Sequence, residues 1–393
     1  RHRGEIEFAL DKALDRKPPK NARQLIHTLH VAVAQIVFMD VPESAAVDLA
    51  VSALSKDKRS VRFSGLANAV LRRIAREKDT IFSHLDEAER ALLNVAPWIK
   101  KRIRKDYGKA NLAAIARQHM IEPAIDITVC SDPQAWAEKF NGIHLFGNSV
   151  RTKLPGRVDE WTGYNDGQWW IQDAAASLPA QLFGDLTGKT ALDLCAAPGG
   201  KTAQLIQAGA KVTALEKSEP RLQRLQTNLQ RLNMSATCIL ADMMDWETTE
   251  QFDAVLLDAP CSSTGTIRRH PDVQWTKSPQ IVEDLAQLQY DMIIRAHQFL
   301  KPGGTLVFAN CSVDRAEGED VYARVLAVPD LFSAAPISAQ ELYGQETFIN
   351  RQGAVRTLPC HLQSVGQGAD DALSPSGMTG LDGFFCARFT RQT

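Results

Sequence analysis

The alternation of short apolar runs with longer amphipathic segments, between residues 190 and 311, constrains the fold more than any other feature. Five runs have the length and composition of buried strands: 190–194, 211–215, 236–240, 252–257 and 305–309. Three segments between them have apolar residues at helical spacing: 203–208, 221–232 and 281–300. This repetition predicts an α/β domain with a doubly wound, parallel, Rossmann-like sheet and helices on both faces.

A glycine-rich turn joins the first of these strands to its helix. The segment from Asp193 to Thr202 reads Asp-Leu-Cys-Ala-Ala-Pro-Gly-Gly-Lys-Thr. Its two glycines allow a tight turn and a close approach of the backbone to a ligand. Because a helix begins there, free N–H groups favour an anionic or polar ligand such as a carboxylate. The spacing matches neither a dinucleotide fingerprint nor a phosphate-binding loop. The turn therefore predicts a ligand site without identifying the ligand.

Acidic residues stand at the ends of the next three strands. Glu216 ends the second strand, 17 residues after Gly199, where an acidic side chain can bind ribose hydroxyls. Asp242 follows the third strand and Asp258 the fourth. Each could instead cap the helix or turn that follows it. Since open α/β sheets bind ligands at the carboxyl ends of their strands, three such residues beside the turn favour a nucleoside cofactor.

Five of the seven cysteines fall into two groups by their sequence context. None of the seven forms a pair at C-x2-4-C spacing, which argues against a disulfide framework and a zinc site. Cys195, Cys238 and Cys386 lie in apolar runs, where a free cysteine is usually a core residue. Cys261 and Cys311 instead follow the fourth and fifth strands, among small and polar residues. If these strands are neighbours in the sheet, the two thiols face one cleft.

The part of the chain before this sheet divides into two domains. Residues 1–120 show helical spacing throughout, with breakers at Pro18, Pro19 and Pro42, and predict an all-α bundle. Residues 121–175 contain short β-like runs and predict a small α/β connector, and 176–393 form the sheet domain. Four aromatic residues near the end of the connector predict packing at a domain junction, with base stacking as the alternative. They are Trp161, Tyr164, Trp169 and Trp170.

Charge is unevenly distributed. Residues 1–125 hold 23 lysines and arginines against 15 aspartates and glutamates, and the rest of the chain holds 22 against 31. A basic first part indicates an anionic partner, of which nucleic acid is the obvious candidate, although a solvated basic surface also explains the counts. The segment from Lys100 to Lys105 would form a positive helix edge suited to a phosphate backbone. His27 and His30 have no matching metal ligands and predict packing or surface positions.

No apolar run approaches the roughly 20 residues of a membrane span, and no signal peptide is visible. These observations predict a cytoplasmic protein without a membrane or metal partner.

Several stretches resemble a known family, the RNA (cytosine-5) methyltransferases of the bacterial Fmu/Sun type, which act on small-subunit ribosomal RNA. The resemblance covers nearly the whole chain. Helix 65–74 is similar to the NusB-like RNA-binding domain of that subfamily, and 382–388 resembles its last strand. The stretches that carry the chemistry are 193–202, Asp-Ala-Pro-Cys-Ser-Ser-Thr-Gly at 258–265, Arg-Arg-His-Pro-Asp at 268–272, and Cys-Ser at 311–312.

The resemblance implies S-adenosyl-methionine as the cofactor. The loop around its methionine end would consist of Cys195, Ala196, Ala197, Pro198, Gly199, Gly200 and Lys201. Glu216 would bind the ribose, Asp242 would lie by the adenine, and Asp258 would line the site. Together these implications specify a Rossmann-like methyltransferase sheet preceded by a NusB-like domain.

The same resemblance implies the catalytic roles. Cys311 would be the nucleophile that adds to cytosine C6, and Cys261 would assist its release after methylation of C5. Asp258 would hydrogen-bond the polar edge of the cytosine and stabilise the adduct, with Lys201 as an electrostatic helper. Asn310 stands where the family usually has threonine.

Three functional hypotheses remain open at this point. The first is methylation of a specific cytosine in 16S ribosomal RNA by a monomeric enzyme. The second keeps the chemistry and changes the substrate to transfer RNA or another ribosomal position. The third is a non-catalytic RNA-binding assembly factor, which the presence of both Cys261 and Cys311 disfavours. The family pattern also leads us to expect a further helix before Arg1, and 363–377 predicts an inserted flexible loop.

Overall fold

The computed structural model describes residues 1–19, 21–362 and 378–392. The tract at 363–377, expected to be a flexible loop, lies outside the described residues. Contacts divide the chain into two units, Arg1–Met120 and Ile121–Thr393. No helix of the described residues is long and apolar enough to cross a membrane.

The first unit is all-α over its described residues. Apolar side chains at helical spacing form its core, as in α4, where Ala67, Val70, Leu71 and Ile74 are buried. The last helix contains Gly108 in the left-handed region, with φ 82°, which divides it into two segments. The helices are α1 (Arg3–Ala13), α2 (Arg23–Phe38), α3 (Glu43–Ser55), α4 (Ser64–Glu77), α5 (Glu87–Leu93) and α6 (Pro97–Met120).

The second unit begins with a small antiparallel sheet. Its strands are β1 (Ile125–Val129), β2 (Ile143–Phe146), β3 (Ser149–Thr152) and β4 (Trp169–Ile171), in the order β2–β3–β1–β4, with α7 (Pro133–Lys139) between β1 and β2. Trp161 and Trp169 are buried and lie with their ring centroids 5.9 and 5.8 Å from that of Phe140. Packing of these two tryptophans is therefore confirmed, but they pack inside the connector and not at its junction with another domain. Trp170 belongs to a different apolar cluster, beside the glycine-rich turn.

A larger sheet follows, with the order β10–β12–β9–β8–β5–β6–β7 and β11 paired with β12. Its strands are β5 (Thr190–Leu194), β6 (Lys211–Glu216), β7 (Thr237–Leu240), β8 (Phe252–Asp258), β9 (Leu300–Asn310), β10 (Phe332–Ala334), β11 (Val355–Thr357) and β12 (Phe384–Arg391). The helices are α8 (Ala174–Gln181), α9 (Gly200–Gln207), α10 (Glu219–Arg231), α11 (Val273–Thr276), α12 (Pro279–Ala296) and α13 (Glu319–Leu326).

The parallel arrangement predicted from the strand–helix alternation is confirmed for five strands, β5 to β9. It is wrong for the whole sheet, because β12 pairs antiparallel with β9 and with both β10 and β11. Residues after α13 lack the strand–helix alternation, so β12 returns to the free edge of β9 from the opposite direction. The sequence also predicted one helix over 281–300, whereas α12 ends at Ala296 and β9 begins at Leu300.

Alternating residues of the parallel strands pack on the two faces of the sheet. Leu192 and Leu194 of β5 pack on one face with α12 and α13, whereas Ala191 packs on the other with α8 and α9. The register pairs Leu194 with Leu257 of β8, and Asp258 with Ala309 of β9. The carboxyl ends of these strands therefore lie along one edge of the sheet, where the sequence predicted a ligand site.

Candidate active site

Two adjoining cavities lie at the carboxyl ends of the parallel strands. One, of about 320 Å³, is lined by Glu216, Asp242, Cys261 and Cys311 among others. The second, of about 430 Å³, is lined by the turn from Ala196 to Lys201 and by residues of β4 and α10. Cys195, Ala197 and Asp258 line both cavities. The structure thus places every side chain proposed from the sequence at one edge of the sheet.

The two sulfurs at the strand exits converge. The Sγ atoms of Cys261 and Cys311 are 3.4 Å apart, because β8 and β9 are parallel neighbours and each cysteine follows the end of its strand. The hydrogen bond to Cys311, together with burial, raises the pKa of Cys261 well above its usual value. The two thiols share one hydrogen bond, in which either sulfur can be the donor. The expectation that both thiols face one cleft is confirmed.

Hydrogen bonds from Asn310 and from the loop that carries Cys261 fix the position of Cys311. The Nδ2 of Asn310 donates to the carbonyl of Glu317 at 2.6 Å, and its Oδ1 accepts from the backbone N–H of Ser312 at 3.0 Å. The backbone N–H of Gly265, from the loop that carries Cys261, donates to the carbonyl of Cys311 at 2.9 Å. Asn310 therefore holds the turn with both ends of its amide.

Lys201 and Asp258 form an ion pair beside the sulfurs. The Nζ of Lys201 donates to Oδ2 of Asp258 at 2.7 Å and lies 5.3 Å from the ring centroid of Phe384. Burial opposes the charge of Lys201, but the carboxylate of Asp258 outweighs it and raises the pKa of the lysine. The lysine remains cationic and neutralises Asp258 without removing its ability to accept a further hydrogen bond.

The glycine-rich turn has the geometry that its sequence predicts. Gly199, with φ 104°, precedes the first residue of α9, and a Cβ there would lie 3.3 Å from Cγ of Leu225. Cys195 also has a positive φ, 62°, and burial raises the pKa of its thiol to about 12. Cys195 packs against the hydrophobic core, as the core interpretation predicts, and it also lines both cavities. The interpretation as a core residue fits Cys386, which is buried, better than Cys238, which is partly exposed.

Glu216 has an unsatisfied oxygen. Its side chain is buried, and Oε1 accepts from the backbone N–H of Ser218 at 3.0 Å. Nη1 of Arg221 is 3.2 Å from Oε2, yet Oε2 accepts no hydrogen bond. A buried carboxylate oxygen without a donor is costly, and a ribose hydroxyl of a bound nucleoside would supply one. Asp242, half-exposed in the same cavity, uses Oδ1 to accept from the backbone N–H of Met244. The residues therefore fit a nucleoside cofactor.

Sequence reasoning missed two groups around the site. Glu317 lies beneath the two cysteine loops and accepts hydrogen bonds from both. The arginines of the 268–272 motif form a buried ion cluster, in which Arg268 and Arg269 both pair with Asp173 and Asp382. The motif at 268–272 drew attention to the two arginines. Their carboxylate partners could not be identified, because they lie about a hundred residues away in the sequence. No signal in a single sequence identified Glu317.

Comparison with known proteins decides the family. The family model "16S rRNA methyltransferase RsmB/F" matches residues 182–390, and the NusB family model matches residues 1–76. The ribosomal RNA small subunit methyltransferase B of Vibrio cholerae is 33% identical over 350 residues, covering 82% of this chain and 78% of that protein. The chain belongs to the RsmB/F family of 16S rRNA methyltransferases.

Solved structures agree with this assignment at the level of the fold. The crystal structure of PH0851 has a TM-score of 0.71 at 22% identity and covers 93% of this chain and 82% of that one. NSun6 from Pyrococcus horikoshii has a TM-score of 0.61 at 15% identity and covers 76% and 98%.

Membership in the RsmB/F family confirms several predictions. It confirms the family resemblance, the Rossmann-like methyltransferase sheet and the NusB-type helical domain before it. The protein is an S-adenosyl-methionine-dependent RNA methyltransferase, and S-adenosyl-methionine is its cofactor. The roles of the individual site residues stay predictions.

Proposed function

We propose that this enzyme methylates C5 of a specific cytosine in 16S ribosomal RNA through a covalent adduct between Cys311 and C6. The observation that carries the proposal is the 3.4 Å separation of the Cys261 and Cys311 sulfurs in a cavity that Asp258 also lines. An RNA-binding scaffold has no need of two thiols at this edge. Family membership supports the ribosomal substrate.

The cofactor would lie along the glycine-rich turn. The turn from Cys195 to Lys201 would hold its methionine end, Glu216 would accept from the ribose, and Asp242 would lie by the adenine. When bound, S-adenosyl-methionine supplies an electrophilic methyl group at the edge where the sulfurs lie. The free Oε2 of Glu216 supports this placement, since it is a buried acceptor without a donor on a residue that lines the cavity.

Addition of Cys311 would activate the base. Cytosine C5 is a weak nucleophile, but addition of a thiolate to C6 moves the electron pair of the C5–C6 double bond onto C5 and the conjugated ring. Asp258 would accept a hydrogen bond from the exocyclic amine and hold the polar edge of the ring. Lys201, paired with Asp258, would stabilise the negative charge that develops on the ring. C5 would then form its bond to the methyl carbon as the bond between that carbon and the donor sulfur breaks, with its electron pair left on the sulfur.

Release would reverse the addition. The C5 proton passes to a base, the C5–H electron pair re-forms the ring double bond, and the C6–S bond breaks with its electron pair returning to Cys311. The thiol of Cys261, which burial and its neighbour keep protonated, would donate a hydrogen bond to the departing sulfur. This stabilises the leaving thiolate and so assists elimination.

The basic first unit would hold the flanking RNA. Around an open concave surface on α6, the lining residues of the described chain include five cations and no carboxylate. We call this set the α6 basic cluster: Lys100, Lys101, Arg104, Lys105 and Lys109. Extruding a base from its stack costs on the order of a few kcal/mol, and phosphate contacts elsewhere can offset this cost.

We also propose that the enzyme works in the cytoplasm as a monomer. Ribosomal RNA, as the substrate, supports the cytoplasm. One chain supplies every residue of the proposed site, which supports the monomer. Sedimentation of the purified protein at micromolar concentration tests the oligomeric state, and a dimer would contradict this part of the proposal.

Methyl transfer from labelled S-adenosyl-methionine to unmethylated 16S rRNA tests the function. We expect Cys311→Ala to lose transfer while it still binds the cofactor. We expect Cys261→Ala to accumulate a protein–RNA adduct that survives denaturing gels, because release is impaired. Transfer by Cys311→Ala, or only free RNA with Cys261→Ala, would contradict the assigned roles. Parallel reactions with unmethylated transfer RNA, followed by mapping of the modified base, decide between the two substrates.

A further inference from the structure

Glu317 is a buried carboxylate that no lysine, arginine or histidine of the described residues pairs with. Its side chain has no solvent exposure. Four donors surround it instead. Oε1 accepts from the backbone N–H of Ser262 at 2.8 Å and from Nε2 of Gln289 at 3.2 Å. Oε2 accepts from Oγ of Ser312 at 2.6 Å and from Oγ of Ser262 through a short hydrogen bond.

These donors adjoin the two cysteines. Ser262 follows Cys261 directly, and Ser312 follows Cys311 directly. One carboxylate therefore holds both loops, the first through a backbone and a side-chain donor and the second through a hydroxyl. The hydrogen bonds of the sheet end with β8 and β9, just before these loops. Beyond that point the carboxylate fixes the distance between the two loops.

The contacts of Glu317 extend to the residues that precede each cysteine. The carbonyl of Glu317 accepts from Nδ2 of Asn310 at 2.6 Å, so both ends of the residue bracket Cys311. Gln289, which donates to the carboxylate, also donates to the carbonyl of Pro260 at 2.9 Å. Glu317 itself thus restrains Cys311 on both sides, and it restrains Cys261 on one side, with Gln289 holding the other.

Hydrogen bonds stabilise the buried charge of Glu317. A buried carboxylate without a cation is costly unless its oxygens are saturated by donors, and here each oxygen accepts two hydrogen bonds. Burial still raises the pKa of Glu317 above its usual value. Removing the carboxylate would leave the backbone N–H of Ser262 buried without this acceptor. The two loops would then have to separate or to find other partners.

We propose that Glu317 is a positioning residue for methyl transfer, whose carboxylate keeps the sulfurs of Cys261 and Cys311 at reacting distance by joining the loops that carry them. Glu317 is not among the residues that line the two cavities, so it would act on the reaction through the cysteines. The proposal rests on the proposed function for its effect on catalysis. Its geometric part, the spacing of the sulfurs, can be measured without methyl transfer.

Two variants separate the effects of size and of hydrogen bonding. Glu317→Gln keeps the shape and one acceptor oxygen, whereas Glu317→Ala removes the link. We expect Glu317→Ala to lower the single-turnover rate about 100-fold, since a displacement of about 1 Å can cost this much, while KM for RNA and Kd for S-adenosyl-methionine stay within about twofold. Glu317→Gln should recover part of the rate. Asp284→Asn, a carboxylate-to-amide change at an exposed position of α12, is the control.

Oxidative cross-linking measures the spacing directly. Diamide oxidises two adjacent thiols to a disulfide and is itself reduced to the hydrazine, and mass spectrometry quantifies the Cys261–Cys311 product. We expect the wild type and Asp284→Asn to cross-link at the same rate. Glu317→Ala should cross-link about tenfold more slowly, because its sulfurs are no longer held together.

The outcomes decide the proposal. A reduced rate of methyl transfer together with slower cross-linking supports it. An unchanged rate of methyl transfer overturns it, and so does a reduced rate with wild-type cross-linking, since the spacing of the sulfurs is then unaltered. If Glu317→Ala does not fold, Glu317→Gln decides by the same two readouts. Activity of Cys311→Ala would instead refute the proposed function, and the cross-linking result would stand apart from it.

Discussion

Three buried acidic residues near the proposed active site differ in the hydrogen bonds that their carboxyl oxygens accept. Glu317 accepts four hydrogen bonds, Glu216 has one oxygen without a donor, and Asp193 accepts from Oγ1 of Thr202 at 2.6 Å. These differences separate their roles. The saturated group holds loops, the unsatisfied group awaits a ligand, and burial raises the pKa of the third.

Asp193 makes stability depend on pH. Burial raises its pKa from the usual 3.8 to about 7, so the folded state keeps a proton that the unfolded state releases above about pH 4. Its contribution to the free energy of unfolding is present below about pH 4 and declines, by up to about 4 kcal/mol, as the pH rises to about 7. Thermal unfolding of Asp193→Asn should lack this decline. The Tm difference between variant and wild type should therefore move in favour of the variant from pH 4.5 to 7.

An exposed aspartate provides the control for this experiment. Asp284→Asn, on α12, should give a Tm difference that does not change over the same pH range. Parallel Tm curves for Asp193→Asn and the wild type would show that Asp193 does not carry the proton.

Glu216→Gln tests the ligand that the free oxygen awaits. The amide keeps the volume and presents one oxygen, but it loses the charge and one acceptor. A hydrogen bond to a charged group contributes about 1.5–3 kcal/mol, so Kd for S-adenosyl-methionine should rise about 10- to 100-fold. Titration calorimetry measures this change, with the exposed Glu219→Gln as the control. An unchanged Kd would mean that the ribose lies elsewhere.

At the scale of elements, the loop after β8 packs directly against the segment that leads into β12. The backbone N–H of Gly383 donates to the carbonyl of Gly265 at 2.9 Å, and a Cβ at Gly265 would lie 1.8 Å from the carbonyl oxygen of Gly383. The last strand therefore supports the loop that carries Cys261. Only a glycine fits where these two backbones meet.

Gly265→Ala should separate these two segments. Because the obstructing atoms belong to the backbone and cannot rotate away, we expect a loss of about 3 kcal/mol of stability or more, together with a loss of methyl transfer. Thermal unfolding and single-turnover assays measure both. Gly65→Ala, in α4, meets nothing within 4 Å and should leave Tm unchanged or slightly raised. A similar Tm for Gly265→Ala and wild type would contradict this account of the packing.

The elements that could be predicted from the sequence are those whose signals are local. Strands β5, β6 and β8 were predicted almost to the residue, since each is a short apolar run that ends at a turn or a polar side chain. The convergence of Cys261 and Cys311 followed from one rule, that consecutive parallel strands are often neighbours. By contrast, β12 lacks a local signal for its direction. Glu317 could not be found, because its donors lie up to 55 residues away and only folding brings them together.

At the scale of the whole molecule, the chain combines a basic helical unit with an acidic catalytic one. Residues 1–125 carry 23 basic and 15 acidic side chains, and the remainder carries 22 and 31. The active site belongs to the part of the chain whose charges would repel an RNA backbone. Affinity for RNA should therefore depend on the first unit, and chemistry on the second.

Neutralising part of the α6 basic cluster tests this division. Lys100→Gln, Lys101→Gln and Lys105→Gln together remove three charges from a surface without a lining carboxylate. If each lysine meets one phosphate, the slope of log K against log salt should become shallower by about 0.7–0.9 for each phosphate that is no longer neutralised. RNA affinity at low salt should fall, while Kd for S-adenosyl-methionine and the rate at saturating RNA stay near those of the wild type. Filter binding over a salt series measures the slope.

The control for this variant removes the same charge from other places. Lys12→Gln, Lys56→Gln and Lys211→Gln neutralise three exposed lysines that do not line the concave surface on α6. If only net charge matters, both triple variants should weaken RNA binding equally, and the α6 basic cluster would have no special role. If the cluster contacts the backbone, only its own variant should change the slope, because counterion release requires a local contact with phosphate.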